Sequence, residues 1–368
     1  MVNAELVARA KTLIDVLSAM PRFAGSDAET RARVRCRREL EQAGYSCREL
    51  PFSYSQWLGR WAVPVVSLGF GILTFAMARL ALTASNSWPE AVTIWTLFFT
   101  GAASSRVVSR GWILTFPWYQ SIAVNLEAKR GDPTVWLVAH LDSKSQTMPM
   151  LLRIAGSVSL YVAAMLVILG GLAFRIWGSI AAPALIVAQS LALFGAVTAG
   201  LCFITNKSPG AVDNASGVAA VLLAAQSPDA PASLGVLITS GEELGLAGAV
   251  AWARKAPDQL VVLNCDTVDE AGAYRCMYSV QPLRLSEAAQ AVARRVGVPL
   301  KLGRMIPGIM ADSMAFSNRW RWSAITLSRG TLATLARIHT SGDNSARLTG
   351  EGAATASTLL SAIARELS

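Results

Sequence analysis

Charged residues are scarce in this chain of 368 amino acids: they make up 15% of it, against roughly 25% in an ordinary soluble domain. Hydrophobic residues reach 53%, and the mean hydropathy is +0.41. A chain with so little charge and so much apolar surface is not typical of a soluble protein. We expect part of it to lie in a lipid bilayer.

Paired cysteines are missing as well. The five cysteines form no CxxC pair, and their number is odd. This pattern argues against a disulfide framework and against a cysteine-ligated zinc site. Cys202, which lies in an apolar run, is typical of a small buried thiol.

The chain also lacks a recognisable nucleic-acid-binding module, although its formal net charge is +9. The densest basic run, from Arg31 to Arg38, lies in a stretch with helical character. Basic residues in such a stretch usually form a solvated helix face. We therefore expect no nucleic-acid partner.

Long uncharged runs are what the sequence has in abundance. No charged residue occurs in 61–78, 154–174 or 176–206, and the stretch 80–105 contains only Glu90. Apolar runs of about 20 residues are long enough to cross a bilayer. We predict two transmembrane helical hairpins, 61–105 and 154–206; for the second, a pair of buried core helices is the alternative.

The remaining segments, 1–60, 106–153 and 207–368, have the pattern of strands and helices. SLGVLITS, QLVVLNCD and WSAITLS are short apolar runs typical of buried parallel strands, and helical periodicity lies between them. This predicts an α/β fold with a mixed, mostly parallel sheet flanked by helices. Because each hairpin would leave and re-enter on one side of the membrane, the three segments can form one discontinuous domain.

Basic residues border the predicted spans on the side of this domain, whereas the opposite turns carry only Arg79 and Arg175. The amino terminus lacks the apolar core of a signal peptide. By the positive-inside rule, we expect a multi-pass membrane protein whose large domain faces the cytoplasm. The bordering residues are Arg60, Arg106, Arg110, Lys129, Arg130, Lys144, Arg153 and Lys207.

Acidic residues stand at the carboxyl ends of the predicted strands or in the loops that follow them, where α/β sheets collect their ligand sites. Carboxylates crowded there repel one another unless a cation lies between them. Zinc accepts histidine nitrogen and carboxylate oxygen, and the chain has two histidines. The candidate site residues are His140, Asp142, Asp213, Glu242, Glu243, Asp266 and His339.

Eight short segments stand out along the chain: PRFAGS, SIAVNLEAKRG, AHLDS, GAVDNASG, SGEELGLAGA, NCD, ADSMAF and IHTSGD. They resemble the motifs of the M28 family of zinc peptidases, which includes bacterial aminopeptidases and glutamate carboxypeptidases. They occur in the family's order and extend over most of the part of the chain outside the apolar runs. AHLDS, GAVDNASG and SGEE are together highly specific.

The resemblance implies a zinc-peptidase-like α/β/α sandwich and a zinc-dependent exopeptidase. Two zinc ions per chain would activate a water that hydrolyses the N-terminal residue of a peptide substrate. The resemblance implies the following roles: His140 and Asp266 hold one zinc, Glu243 and His339 hold the other, Asp213 bridges both, Asp142 orients His140, and Glu242 is the general base.

The sequence departs from the family in two respects. Where the family has Ser-Asp-His, this chain has Ala311-Asp312-Ser313, and Gly308 stands where several members have an oxyanion-stabilising tyrosine. Other activities of the same fold stay open: a carboxypeptidase, or a glutaminyl-cyclase-like acyltransferase that would use one zinc. A membrane scaffold or receptor without catalysis is a further alternative, but such relatives generally lose metal ligands.

Overall fold

The computed structural model describes residues 3–84, 86–109, 111–257, 259–306, 308–317 and 322–368. The chain divides into two compact units. The first comprises Met1–Ser55, Ile113–Ser145 and Asn206–Ser368, and the second comprises Gln56–Trp112 and Gln146–Thr205.

An eight-stranded sheet forms the centre of the first unit, in the order β1-β2-β6-β3-β7-β10-β8-β9. The strands are β1 (Ser46–Ser55), β2 (Gln120–Arg130), β3 (Val135–His140), β4 (Ser145–Gln146), β5 (Ile204–Thr205), β6 (Leu234–Thr239), β7 (Val261–Val268), β8 (Ala273–Tyr278), β9 (Leu300–Arg304) and β10 (Ser323–Gly330). The two-residue strands β4 and β5 pair separately with each other.

The middle of the sheet is parallel because its strands are apolar on both faces. Every residue of β3 and of β6 is buried, and β6, β3, β7 and β10 pair in parallel with their neighbours in that order. Strands that alternate in polarity, such as β1, pair antiparallel at the edge. The predicted mixed, mostly parallel sheet flanked by helices is confirmed.

The helices are α1 (Ala4–Leu17), α2 (Asp27–Gln42), α3 (Gln56–Ala81), α4 (Trp88–Ser109), α5 (Trp112–Thr115), α6 (Met150–Trp177), α7 (Ala182–Gly200), α8 (Ser216–Gln226), α9 (Ala247–Ala253), α10 (Leu283–Arg295), α11 (Ser313–Ser317), α12 (Leu332–Arg337) and α13 (Glu351–Leu367). Ten of the eleven residues of α8 are buried, because this helix packs between β3, β7 and α13. A helix that is apolar all round belongs to a core.

The second unit consists of the long apolar helices α3, α4, α6 and α7. Two stretches, Gln56–Ala81 and Met150–Gly200, are long and apolar enough to cross a membrane, and only 33% of their most apolar windows is buried. Large side chains such as Phe98 and Leu169 are about three-fifths exposed. By length and composition alone, these two stretches could cross a membrane.

Small residues let the helices of the second unit approach closely. A Cβ atom on Gly156 of α6 would lie 2.0 Å from Oγ1 of Thr198 in α7, and one on Gly71 of α3 would lie 2.5 Å from Cβ of Ala196. Close packing through glycine and alanine is how helices associate in lipid, where the hydrophobic effect does not drive them together.

An ion pair joins α4 and α6 in the second unit. A terminal nitrogen of Arg175 lies 2.7 and 2.6 Å from the two carboxylate oxygens of Glu90, which is 2% exposed. Arg175 was an exception to the charge asymmetry of the predicted hairpins, and this pairing accounts for it: its charge is neutralised within the unit.

Candidate metal centre

The candidate site lies at the carboxyl ends of three neighbouring parallel strands. His140 is the last residue of β3, Glu242 and Glu243 begin the turn after β6, and Asp266 lies in β7. His140 is level with Thr239, the last residue of β6. The sheet order β6-β3-β7 thus places residues from three parts of the chain at one edge.

One group of potential ligands consists of His140, Asp213 and Asp266, all buried. Nε2 of His140 lies 3.1 Å from Oδ1 of Asp213 and 3.5 Å from Oδ1 of Asp266. We call this group the first triad. Its three ligand atoms all lie within 4.8 Å of one another, which is close enough for one ion to contact all of them.

A second group consists of Asp213, Glu243 and His339, also buried. Nε2 of His339 lies 3.0 Å from Oδ2 of Asp213 and 3.1 Å from Oε1 of Glu243. This is the second triad. The carboxylate of Asp213 belongs to both triads, with one oxygen toward each histidine.

Asp142 lies behind the first triad. Its two carboxylate oxygens accept hydrogen bonds from the backbone N–H groups of Glu242, at 3.1 Å, and Glu243, at 3.2 Å. Nδ1 of His140 lies closer to the backbone carbonyl of Asp142, at 3.0 Å, than to its carboxylate, at 3.8 Å. The structure thus places the carboxylate where it fixes the start of the acidic turn.

Asp213 is held from the backbone side by Asp343. The carboxylate oxygens of Asp343 accept hydrogen bonds from the N–H groups of Val212, at 2.8 Å, and Asp213, at 3.1 Å. Asp343 is the last residue of the segment IHTSGD, which also supplies His339. One short loop therefore provides a ligand and anchors the shared carboxylate.

The backbone is strained around the ligands. Three residues other than glycine adopt left-handed φ angles at or near them: His339 itself (+62°), Thr267 (+58°) after Asp266, and Leu246 (+59°) after Glu243. Such conformations are costly and persist at functional sites where the surrounding structure enforces them.

The site has an excess of negative charge. Burial alone would lower the pKa of His140, but Glu242, Asp213 and Asp266 raise it well above its ordinary value. Burial disfavours the charge of Asp213, yet the two imidazoles outweigh it and lower the pKa of that carboxyl. Carboxylates that favour a positive partner so strongly are suited to a metal cation.

The residues present fit zinc. The donors are imidazole nitrogens and carboxylate oxygens, which are its usual ligands outside cysteine sites. In addition, Nε2 of His140 and Oε1 of Glu243 are buried ligand atoms for which the described part of the chain offers no well-aligned hydrogen bond. Buried polar atoms in that condition call for a ligand or ion.

Residues 189–364 match the model of peptidase family M28. This match identifies an M28 peptidase domain at residues 189–364. The resemblance seen in the motifs is thereby confirmed, and no curated protein sequence matches the chain.

Solved structures share the fold of this chain at low sequence identity. An aminopeptidase from Aneurinibacillus sp. strain AM-1 is 13% identical, with a TM-score of 0.57 over 97% of this chain and 92% of that one. A zinc aminopeptidase from Bacillus subtilis is 14% identical, with a TM-score of 0.57 over 98% and 95% of the two chains. A glutaminyl cyclase from Porphyromonas gingivalis is 13% identical, with a TM-score of 0.52 over 98% and 99%.

Motif reasoning missed two cations next to the candidate ligands. The guanidinium of buried Arg22 donates to the carbonyls of Leu141 and Gly210, both at 2.9 Å, and so ties together the loops that carry His140 and Asp213. Lys144, which the sequence placed at a membrane border, is buried against Glu243 instead. Both cations stand in or directly after a family motif, PRFAGS and AHLDS, and that position was the available signal.

Proposed function

We propose that this protein is an aminopeptidase that removes the N-terminal residue of peptides at a centre completed by two zinc ions. The observation that supports this most directly is the shared carboxylate of Asp213, which has one oxygen in each of two buried ligand triads. A bridging carboxylate between two histidine-containing sets is suited to a pair of ions that act together.

In this proposal His140 and Asp266 would hold one zinc, Glu243 and His339 would hold the other, and Asp213 would be a ligand of both. When bound, the two ions would polarise the scissile carbonyl and lower the pKa of a water molecule at the site. Asp142 keeps Glu242 and Glu243 in place through their backbone N–H groups.

Glu242 is the proposed general base. It adjoins the ligand Glu243 but belongs to neither triad, so its carboxylate remains available for proton transfer. Burial raises its pKa well above the ordinary value, as suits a group that must accept a proton. The water oxygen bonds to the carbonyl carbon, Glu242 takes the water proton and passes it to the leaving nitrogen, and the C–N bond breaks.

Metal removal tests the proposal. After treatment with 1,10-phenanthroline, hydrolysis of leucine p-nitroanilide should fall on the order of 10³-fold and return when zinc is restored, because the ions contribute several kcal/mol to the transition state. The N-acetylated substrate is the control: an aminopeptidase leaves it intact.

Three results would contradict the aminopeptidase. Cleavage that resists the chelator would show that zinc has no part in the mechanism. Equal cleavage of the acetylated substrate would show that the enzyme does not require a free N-terminus and is not an aminopeptidase. Ring closure of an N-terminal glutaminyl peptide without hydrolysis of other substrates would favour the cyclase alternative.

We also propose that α3–α4 and α6–α7 cross the lipid bilayer as two hairpins, with the M28 domain on the cytoplasmic side. The exposed apolar side chains of these helices and their glycine packing support this. The protein should remain in the membrane fraction through sodium carbonate at high pH and dissolve only in detergent. Release by carbonate alone would contradict the hairpins.

The side of the membrane can be tested with cysteines. Ser87, before α4, and Ser179, before α7, lie in the two turns, whereas four of the five native cysteines are buried. In intact cells a membrane-impermeant maleimide should label Ser87→Cys and Ser179→Cys but not Glu5→Cys in the first unit. The reverse pattern would place the M28 domain outside.

A further inference from the structure

Lys144 introduces a positive charge into an otherwise acidic centre. Its Nζ lies 2.7 Å from Oε2 of Glu243 and donates to the backbone carbonyl of the same residue at 3.1 Å. The two side chains are only 10% and 5% exposed, so solvent does not screen their pairing. Of the ion pairs that the described residues form, this is the one that joins a lysine or arginine to a proposed metal ligand.

The two carboxylate oxygens of Glu243 have different partners. Oε2 forms the ion pair with Lys144, and Oε1 lies 3.1 Å from Nε2 of His339 in the second triad. Glu243 is thus oriented to offer a metal one oxygen, and its charge is already partly neutralised.

Among the described residues, no lysine or arginine forms an ion pair with Asp266 or Asp213, the carboxylates of the first triad; Arg22 donates to backbone carbonyls nearby. The triad's own carboxylate, Asp266, accepts a hydrogen bond at 3.0 Å from the neutral hydroxyl of Thr267. Both triads share the charge of Asp213 and add one further carboxylate. Counted over the ligands and the cations paired with them, the two triads therefore differ by the one positive charge of Lys144.

We propose that Lys144 makes the two metal positions unequal: the first triad binds its ion tightly, and the second binds on the order of 100-fold more weakly and fills later. This rests on the proposed two-metal function. A single positive charge and a divalent cation that share one carboxylate lie only about 5–6 Å apart, so their repulsion is large even at an effective dielectric constant of about 20. The loss of metal affinity that this repulsion causes exceeds the 10- to 100-fold gain that a hydrogen-bond partner typically gives by orienting a ligand.

The test is a zinc titration of the purified full chain in detergent, stripped with a chelator and read against a chromophoric zinc chelator. The wild type should give two dissociation constants that differ at least ~10-fold. Lys144→Met should tighten the weaker one by about 10- to 100-fold and leave the tighter one within about threefold. Lys144→Arg, which keeps the charge, should behave as the wild type.

Lys129→Met is the matched control, because Lys129 also pairs with a glutamate, Glu127, but at 3.5 Å and 45% exposed. It should leave both constants unchanged. Should Lys144→Met fail to fold, as judged by gel filtration and circular dichroism, Lys144→Gln keeps a donor for Glu243 without the charge and carries the same expectation.

Two equal dissociation constants in the wild type, or a second constant that Lys144→Met leaves unchanged or weakens, would overturn the inference while leaving a two-metal centre intact. A wild-type chain that binds no zinc would overturn the proposed function itself. The two failures are therefore distinguishable in one titration.

Discussion

A Glu242→Gln variant should keep its zinc and lose about 10²- to 10⁴-fold in kcat, the range that a positioned general base contributes. The amide has almost the shape of the carboxylate but cannot accept the proton of the attacking water. The hydrogen bond between this residue and Asp142 comes from its backbone N–H and survives the change. The measurements are kcat on leucine p-nitroanilide and bound zinc per chain.

Two matched variants separate this effect from a general loss of structure. Glu243→Gln changes the neighbouring residue in the same way, and should lose metal as well as activity because Glu243 belongs to the second triad. Glu287→Gln, on the exposed face of α10, should change neither. A Glu242→Gln enzyme with undiminished turnover would remove Glu242 from the mechanism.

An Asp213→Asn variant should lose both metal ions. One of the two oxygens that lie 3.0–3.1 Å from the histidines becomes an amide nitrogen, which cannot bind a metal, and the site loses the one charge that both ions share. The loss in zinc affinity should exceed the 10- to 100-fold that removal of an outer hydrogen-bond partner costs. Metal analysis after dialysis should find little zinc, and hydrolysis should be absent at ordinary zinc concentrations.

Asp266→Asn provides the comparison, since Asp266 belongs to the first triad alone. It should weaken one position and leave the other able to bind. The backbone hydrogen bonds from Val212 and Asp213 to Asp343 do not involve the altered side chain, so the Asp213→Asn chain should still fold. Two tightly bound zinc ions in that variant would refute the bridging role.

The ligand group could be located from the sequence because its residues follow strands that are easy to recognise. VWLVA and LGVLIT are short uncharged runs, and the parallel order of their strands brings the polar residues after them to one edge. Short apolar runs in the sequence therefore show which polar residues lie at the edge of the sheet. His339 could be assigned to the ligand group only from the family resemblance, because the loop that holds it has no hydrophobic periodicity.

Lys144 and Arg22 could not be placed in the same way. A long basic side chain is flexible, so the sequence does not show which way it points. Lys144 cannot be told apart in the sequence from the basic residues that border membrane spans. Only the fold shows that its Nζ lies against Glu243 and that Arg22 caps the carbonyls of two ligand loops.

The ends of the apolar helices were also only partly predictable. The first was expected to begin at residue 61, but α3 begins at Gln56 and includes Arg60, and α4 continues to Ser109 beyond the expected end at 105. A helix does not end where hydrophobicity ends. Helical backbone hydrogen bonds continue through charged residues, although a boundary drawn from hydrophobicity leaves those residues out of the segment.

The discontinuous chain path of the first unit has a consequence for biosynthesis. Arg22, His140 and His339 come from its three stretches, and the apolar segments of the second unit are interposed between them. During translation both apolar segments are synthesised before Asp213, and His339 is added only near the end. Until then a nascent chain holds no complete pair of triads, so the proposed hydrolytic activity begins only after both apolar segments have been synthesised.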